Sequence, residues 1–371
     1  MKIRSQLLFY LLFISISTFS QSQIDTTQVK PDEKKVQFTA YPAVYYSPET
    51  KFGFGFVGFL VIKDPKKQQS EYYRPTSISP YFLYTLNNQI LTAFDIDYYF
   101  KNGMNLNTKI RYYNFPDFFY GLGNDTDPDV NEQYTNEYFR LDGRLLKPID
   151  SKWFAGIRYY FQQNSLYDFD ENGRLGHGDF IGEDGGWSNG LGLSFLMDTR
   201  NSTLYPTSGW MNRLEISVFG KYLGSDYDYV SYLLDLRKYW KIKNEKNVLA
   251  WQGYLNLTSG TNIPFYNLPR IGGDEKLRGI ANASLYIDRQ AWYTQVEYRR
   301  DLFWRFGAVL FAGIGDVGDT FADFELDKMK YVVGLGGRFQ ALKNERFNIR
   351  LDMGLARYGQ TAFYLSVREA F

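Results

Sequence analysis

Few side chains in this 371-residue sequence are suited to covalent or metal chemistry. There is no cysteine and one histidine, His177, which excludes disulfides, zinc-thiolate sites, iron–sulfur clusters, thiol nucleophiles and multi-histidine metal centres. A Ser-His-Asp arrangement has only His177 to use, and that residue sits in a Gly-rich, acidic stretch with the composition of a loop. The same stretch offers oxygen ligands at Asp168, Asp170, Asn172 and Asp179, with Gly173 after the third. That order matches much of a calcium-binding loop, although Asp stands where Glu usually closes it and there is no room for flanking helices. A solvated acidic cap has the same composition, so both readings stay open. No Gly-rich phosphate loop precedes a helix, so no cofactor is expected and the sequence does not read as an enzyme. With 42 Lys and Arg against 41 Asp and Glu, there is no long-range field to draw in nucleic acid.

The elements that would carry these residues are strands. Aromatic residues make up 19% of the chain, yet the mean hydropathy is only -0.39. From Phe38 onward, segments of about 9–12 residues alternate strictly between apolar and polar side chains. In Met104–Tyr113, Met104, Leu106, Ile110 and Tyr112 oppose Asn105, Asn107, Lys109 and Arg111. In Phe347–Leu355, Phe347, Ile349, Leu351 and Met353 oppose Asn348, Arg350 and Asp352. Strands this long suit a tilted crossing of a bilayer, about 9–11 residues, better than a soluble sandwich. Lipid outside and water inside also explain many aromatics in a hydrophilic chain. Sixteen such segments lead to an all-β expectation: a 16-stranded antiparallel transmembrane β-barrel over 37–371. The long connections at 116–133, 165–186, 260–290 and 316–327 face outward, and the tight ones face the periplasm.

The first twenty residues carry Lys2 and Arg4, an apolar run from Leu7 to Ile16 and then small residues, the pattern of a secretory signal peptide over 1–20. Residues 21–36 read as a short polar periplasmic leader. The aromatic C-terminus, Phe371, fits a barrel delivered to the outer membrane of a Gram-negative bacterium, where outer-membrane lipids are its surroundings.

Two connections stand out. After the eighth strand the chain reads Asp198-Thr-Arg200-Asn201-Ser-Thr-Leu-Tyr205-Pro206-Thr-Ser-Gly209, where Pro206 and Gly209 punctuate a turn and Asp198 can pair with Arg200 or cap backbone N–H groups. Between the eleventh and twelfth strands lies Leu268-Pro-Arg-Ile-Gly272-Gly273-Asp-Glu-Lys-Leu277-Arg278-Gly279-Ile280, inside a connection too long to be an ordinary turn. Together, in this order and at these strand positions, the two strings resemble the barrel of the BamA/TamA outer-membrane assembly superfamily, the bacterial surface antigen type. The resemblance implies that the first string is a periplasmic turn and that the second is an outer loop folded back into the lumen. Its tip would be Arg278, Gly279 and Ile280, with Ile280 replacing the usual aromatic residue. It further implies that Arg278 is held by one acid on the twelfth strand, where Glu297 stands facing the lumen, and by another on the thirteenth. There this sequence has Gly313, with Asp316 at the strand end as a substitute.

Pro42 lies inside the first strand and cannot donate to a ladder, so it is best placed at an edge or a poorly paired seam. The resemblance implies a lateral seam between the first and last strands, with Pro42 facing the segment that ends at Phe371. It implies a role in outer-membrane protein insertion or in protein translocation, with client outer-membrane or secreted proteins as partners. The short leader leaves no room for the periplasmic POTRA domains of such proteins, so a separate periplasmic partner is expected. A passive channel or a structural barrel subunit is the alternative.

Overall fold

The computed structural model describes residues 35–47, 51–64, 74–86, 88–129, 132–170, 172–342 and 345–371. The expected signal peptide and nearly all of the leader lie outside the described residues. Sixteen long strands form one antiparallel sheet in which each strand pairs with its sequence neighbours. They are β1 (Lys35–Ser47), β2 (Lys51–Lys63), β3 (Thr76–Thr85), β4 (Ile90–Tyr99), β5 (Asn105–Phe119), β6 (Glu132–Pro148), β7 (Trp153–Tyr167) and β8 (Gly186–Asp198). The second half comprises β9 (Gly209–Phe219), β10 (Asp228–Lys241), β11 (Asn247–Asn262), β12 (Gln290–Phe303), β13 (Phe306–Gly318), β14 (Lys330–Leu342), β15 (Glu345–Ala356) and β16 (Thr361–Val367). A two-residue ladder, Arg270–Ile271 with Tyr286–Ile287, lies within the long β11–β12 connection.

Alternation divides the side chains as two solvents require. On β14, Tyr331, Val333 and Leu335 are exposed on the outer face while Lys330 and Arg338 are buried on the inner one. On β15, Leu351 and Leu355 point out, and Arg350 and Asp352 point in. Aromatic rings crowd the outer end of the lumen. Phe119, Tyr134, Phe219, Tyr229, Phe265 and Tyr266 form one buried cluster that roofs the cavity beneath it.

The two edges of the sheet, β1 and β16, form no ladder with each other among the described residues. Side chains of β1 and β2 instead join those of β14 and β15. Phe59 of β2 packs on Phe347 of β15 with ring centroids 4.1 Å apart, and Tyr41 of β1 donates to the Ala341 carbonyl of β14 at 3.0 Å. Phe347 belongs to the same face as the exposed Leu351, so the inner face of β1–β2 overlaps the outer face of β14–β15 at the periplasmic end. Pro42 sits in β1 opposite Phe56 of β2 and is exposed.

One expectation for this region is corrected. The last strand ends at Val367, not at Phe371. Arg368 has a positive φ of 63° and turns the tail inward, where Arg368 Nη2 donates to Ser77 and Ser79 of β3. Phe371 is buried against Tyr239 and Ala250, and its carbonyl accepts from Arg299 at 2.8 Å. Phe371 therefore lines the lumen rather than the seam, because a buried guanidinium and an apolar wall hold it there.

Candidate functional site in the barrel lumen

The connection from 263 to 289 enters the lumen and places Arg278 against the inner wall, fully buried. Its guanidinium bonds Glu297 of β12 through Nη2 and Asp352 of β15 through Nη1 at 2.6 Å. It also lies 3.8 Å from the centroid of the Phe311 ring on β13, a cation–π contact in a site screened from water. Glu297 binds Arg299 with its other oxygen at 2.5 Å. Asp352 binds Arg338 at 2.5 Å and Arg350 at 2.9 Å. Two buried carboxylates thus sit among four arginines, and charge-assisted bonds offset the desolvation that burying them costs.

The loop tip approaches closely because two glycines allow it. Gly279 has φ +143°, and a Cβ there would lie 3.1 Å from Leu355 backbone atoms. A Cβ on Gly354 would come within 2.1 Å of the Arg278 carbonyl oxygen. Gly279 N–H donates to Tyr364 Oη at 3.2 Å, and that hydroxyl donates to the Ile280 carbonyl at 2.8 Å. Ile280 is buried with Ile271, Leu277, Tyr286, Tyr293 and Val332, so an aliphatic side chain fills the place expected for an aromatic one.

The second acid is not where the sequence suggested. Asp316 pairs with Lys330 at 3.0 Å, at the outer end of β13, and does not contribute to Arg278. Gly313 does not need to carry an acid, since a Cβ there would already lie 2.7 Å from Leu277 Cδ2. The position is reserved for packing of the loop, and Asp352, two strands further on, supplies the charge. Sequence reasoning placed Asp352 in the lumen without a partner. Its signal was the inward Arg350–Asp352 spacing, but a contact across 74 residues leaves no local trace.

The turn between β8 and β9 folds up under the periplasmic opening. Asp198 takes a bidentate pair from Arg200 at 2.9 and 2.7 Å. Asn201 Oδ1 accepts from the N–H groups of Thr207 and Ser208, closing the turn around Pro206. Tyr205 is buried and its hydroxyl lies 3.5 Å from Asp301; burial raises its pKa above the phenol range. Gly209 opens β9. Above this turn, a cavity of about 870 Å³ is lined by charges of both signs, including Arg144, Asp142, Arg213, Asp235 and Arg237.

Two of the candidate calcium ligands are hydrogen-bonded within the protein. Asp168 Oδ2 accepts from Thr135 and Asp170 Oδ1 accepts from the Asn172 N–H, and among the described residues no group of three or more acids or histidines, Asp179 included, is arranged around a metal. Leu175 instead anchors this loop in the aromatic roof, and His177 hydrogen-bonds the Gly173 carbonyl. The loop is a cap.

A sixteen-stranded barrel with a long outer loop locked inside its lumen is the class of protein that fold and site define. The sequence profile of the Omp85 superfamily domain matches residues 74–357, and the chain belongs to that superfamily, an outer-membrane barrel of the BamA/TamA type. Among solved structures it is similar to BamA from Haemophilus ducreyi lacking POTRA domains 1–3, at 12% identity and a TM-score of 0.55, covering 98% of this chain and 74% of that one. It also matches OprD from Pseudomonas aeruginosa at 12% identity and a TM-score of 0.34, covering 91% of each chain. None of the functionally curated proteins matches the sequence.

Proposed function

We propose that this chain is a laterally opening barrel of the Gram-negative outer membrane that inserts or translocates client proteins. The observation that supports this reading is the seam. Edge strands present rows of N–H and C=O groups that can template another strand, and here β1 and β16 form no ladder with each other among the described residues, while the two ends of the sheet touch through side chains of β1–β2 and β14–β15. The loop lock on Arg278 holds β12 and β15 together beside that seam, so the barrel can open at one place without coming apart elsewhere. The role rests on conformation, not on bond chemistry.

The native chain has no cysteine, which makes a disulfide test clean. One cysteine within Phe38–Pro42 and one within Phe363–Ser366 would close the seam on oxidation. Client insertion into the outer membrane is expected to stop on oxidation and return on reduction; full activity with the seam closed would overturn the proposal. The mixed-charge cavity supports a second reading, a passive channel. Single-channel recording separates the two, since a barrel roofed by its loops and plugged by Arg278 should conduct poorly until Arg278→Ala frees the loop.

A further inference from the structure

At the periplasmic end, beneath the β12–β13 hairpin, a separate cleft of about 250 Å³ is lined by Lys246, Arg299, Arg305, Arg338 and Arg346, with Asp301 the one acid among its lining side chains. Arg299 and Arg338 are buried and already bound to acids behind the cleft. Arg346 pairs with Asp301 at 2.9 Å. Arg305 makes no ion pair among the described residues; it donates to the Ala341 carbonyl and lies 4.9 Å from the Phe339 ring. Three of these arginines, Arg299, Arg305 and Arg338, each keep one buried guanidinium nitrogen without a hydrogen-bond acceptor among the described residues. Unsatisfied buried donors are costly, and several around one cleft, with positive charge in excess, call for a compact anion rich in acceptor oxygens.

The walls of the cleft say where that anion comes from. The hairpin tip carries Leu302, Phe303, Trp304 and Phe306, all exposed, with Trp304 at 77% and Phe303 at 68%. Trp304 and Phe306 ring centroids lie 5.7 Å apart, and Phe306 and Phe339 lie 5.5 Å apart. Exposed aromatics at the end of a membrane strand belong at the bilayer interface, at headgroup level. Arg300 is exposed on the outer side of the same strand end. An anion reaching this cleft arrives with a hydrocarbon tail beside it.

We propose that the cleft binds the phosphate of an anionic phospholipid headgroup from the inner leaflet, with Lys246, Arg305 and Arg346 as its rim ligands and the Phe303–Phe306 tip against the acyl chains. The Ala341 carbonyl that accepts from Arg305 also accepts from Tyr41 of β1, so the bound lipid sits beside the seam. The inference rests on the membrane placement of the barrel and not on client insertion.

The test uses the full chain, delipidated in neutral detergent, with phosphatidylglycerol, phosphatidylcholine of the same acyl chains, and inorganic phosphate as probes, read by native mass spectrometry. Phosphatidylglycerol should be retained over phosphatidylcholine. The double variant Arg305→Gln with Arg346→Gln should weaken its retention at least about tenfold, since each charge-assisted bond lost is worth roughly that factor. Trp304→Ala should weaken lipid retention, and millimolar phosphate should not displace the lipid from the wild-type chain. Unchanged heat-modified migration in gels keeps misfolding from mimicking these losses. Equal retention of the two lipids, or no effect of the double variant, overturns the site. Displacement by free phosphate together with no effect of Trp304→Ala overturns the lipid assignment.

Discussion

The two walls of the lumen use the same local pattern to different ends. On the wall formed by β6–β10, Glu215 pairs with Arg144 of β6 and lies 3.4 Å from Arg158 of β7. Asp235 pairs with Arg237 on its own strand at 2.7 Å and with Arg213 of β9 at 3.1 Å. Every one of these charged partners comes from the same wall, and many of these groups line the large cavity. On the wall formed by β12–β15, Glu297 and Asp352 also hold own-strand arginines two residues away, Arg299 and Arg350. Each has a remaining bond for Arg278, delivered from a loop. An inward acid beside an inward arginine is thus a general device for a polar lumen. It becomes a lock where the added charge, fully buried, is carried by a loop rather than by the wall itself.

The largest effect should come from breaking the loop-facing wall. Glu297→Gln or Asp352→Asn leaves a buried guanidinium short of charge, a loss of about 3–5 kcal/mol. It should appear as a lower temperature for heat-modified migration and as protease cleavage within 268–289. Unchanged protection of the loop in both variants would show that Arg278 is not the lock. Next, Gly313→Asp installs an acid at the position where the family resemblance places one. It should destabilise by about 1–3 kcal/mol, the usual cost of overpacking, because Leu277 occupies the space; a more stable barrel would contradict that account. On the cavity wall, Asp235→Asn keeps an acceptor, and its partners Arg213 and Arg237 are each 20% exposed, so a loss of about 1 kcal/mol is expected, with loop protection unaltered.

The smallest effect concerns the exit of the loop. Desolvation raises the pKa of Asp288 to about 6, helped by the nearby Asp319 and Asp323 and opposed by the Arg289 N–H. A folded-state value above the ordinary carboxylate value near 4 means that the native chain holds the proton more tightly. The stability this gives is full below about pH 4 and is lost as pH rises through about 6. Protection factors around 285–289, corrected for the pH dependence of intrinsic amide exchange, should therefore be higher at pH 5 than at pH 7, and Asp288→Asn should remove the difference.

Much of the fold was legible because a strand between lipid and water writes its two faces into alternate residues. Met104–Tyr113 and Phe347–Leu355 announced both their length and their orientation. The edges were harder to read. Residues 368–370 continue the polar and apolar texture of β16, but Arg368 turns the chain inward and Arg299 captures its end. The site was half legible. Glu297 followed from alternation and resemblance, whereas Asp352 was visible only as one more lumenal acid.

By itself the sequence determined the barrel and its sixteen strands, since periodicity and turn chemistry are local properties of a chain. The loop that enters it and the arginine at the loop's tip followed from the resemblance that two of its motifs carry. Only the tertiary structure decided which acids hold that arginine, why Gly313 stays a glycine, where Phe371 goes and how the sheet edges meet. Those outcomes depend on which distant surfaces come within a few ångströms of each other, and a carboxylate carries no mark in the sequence of the charge it will face.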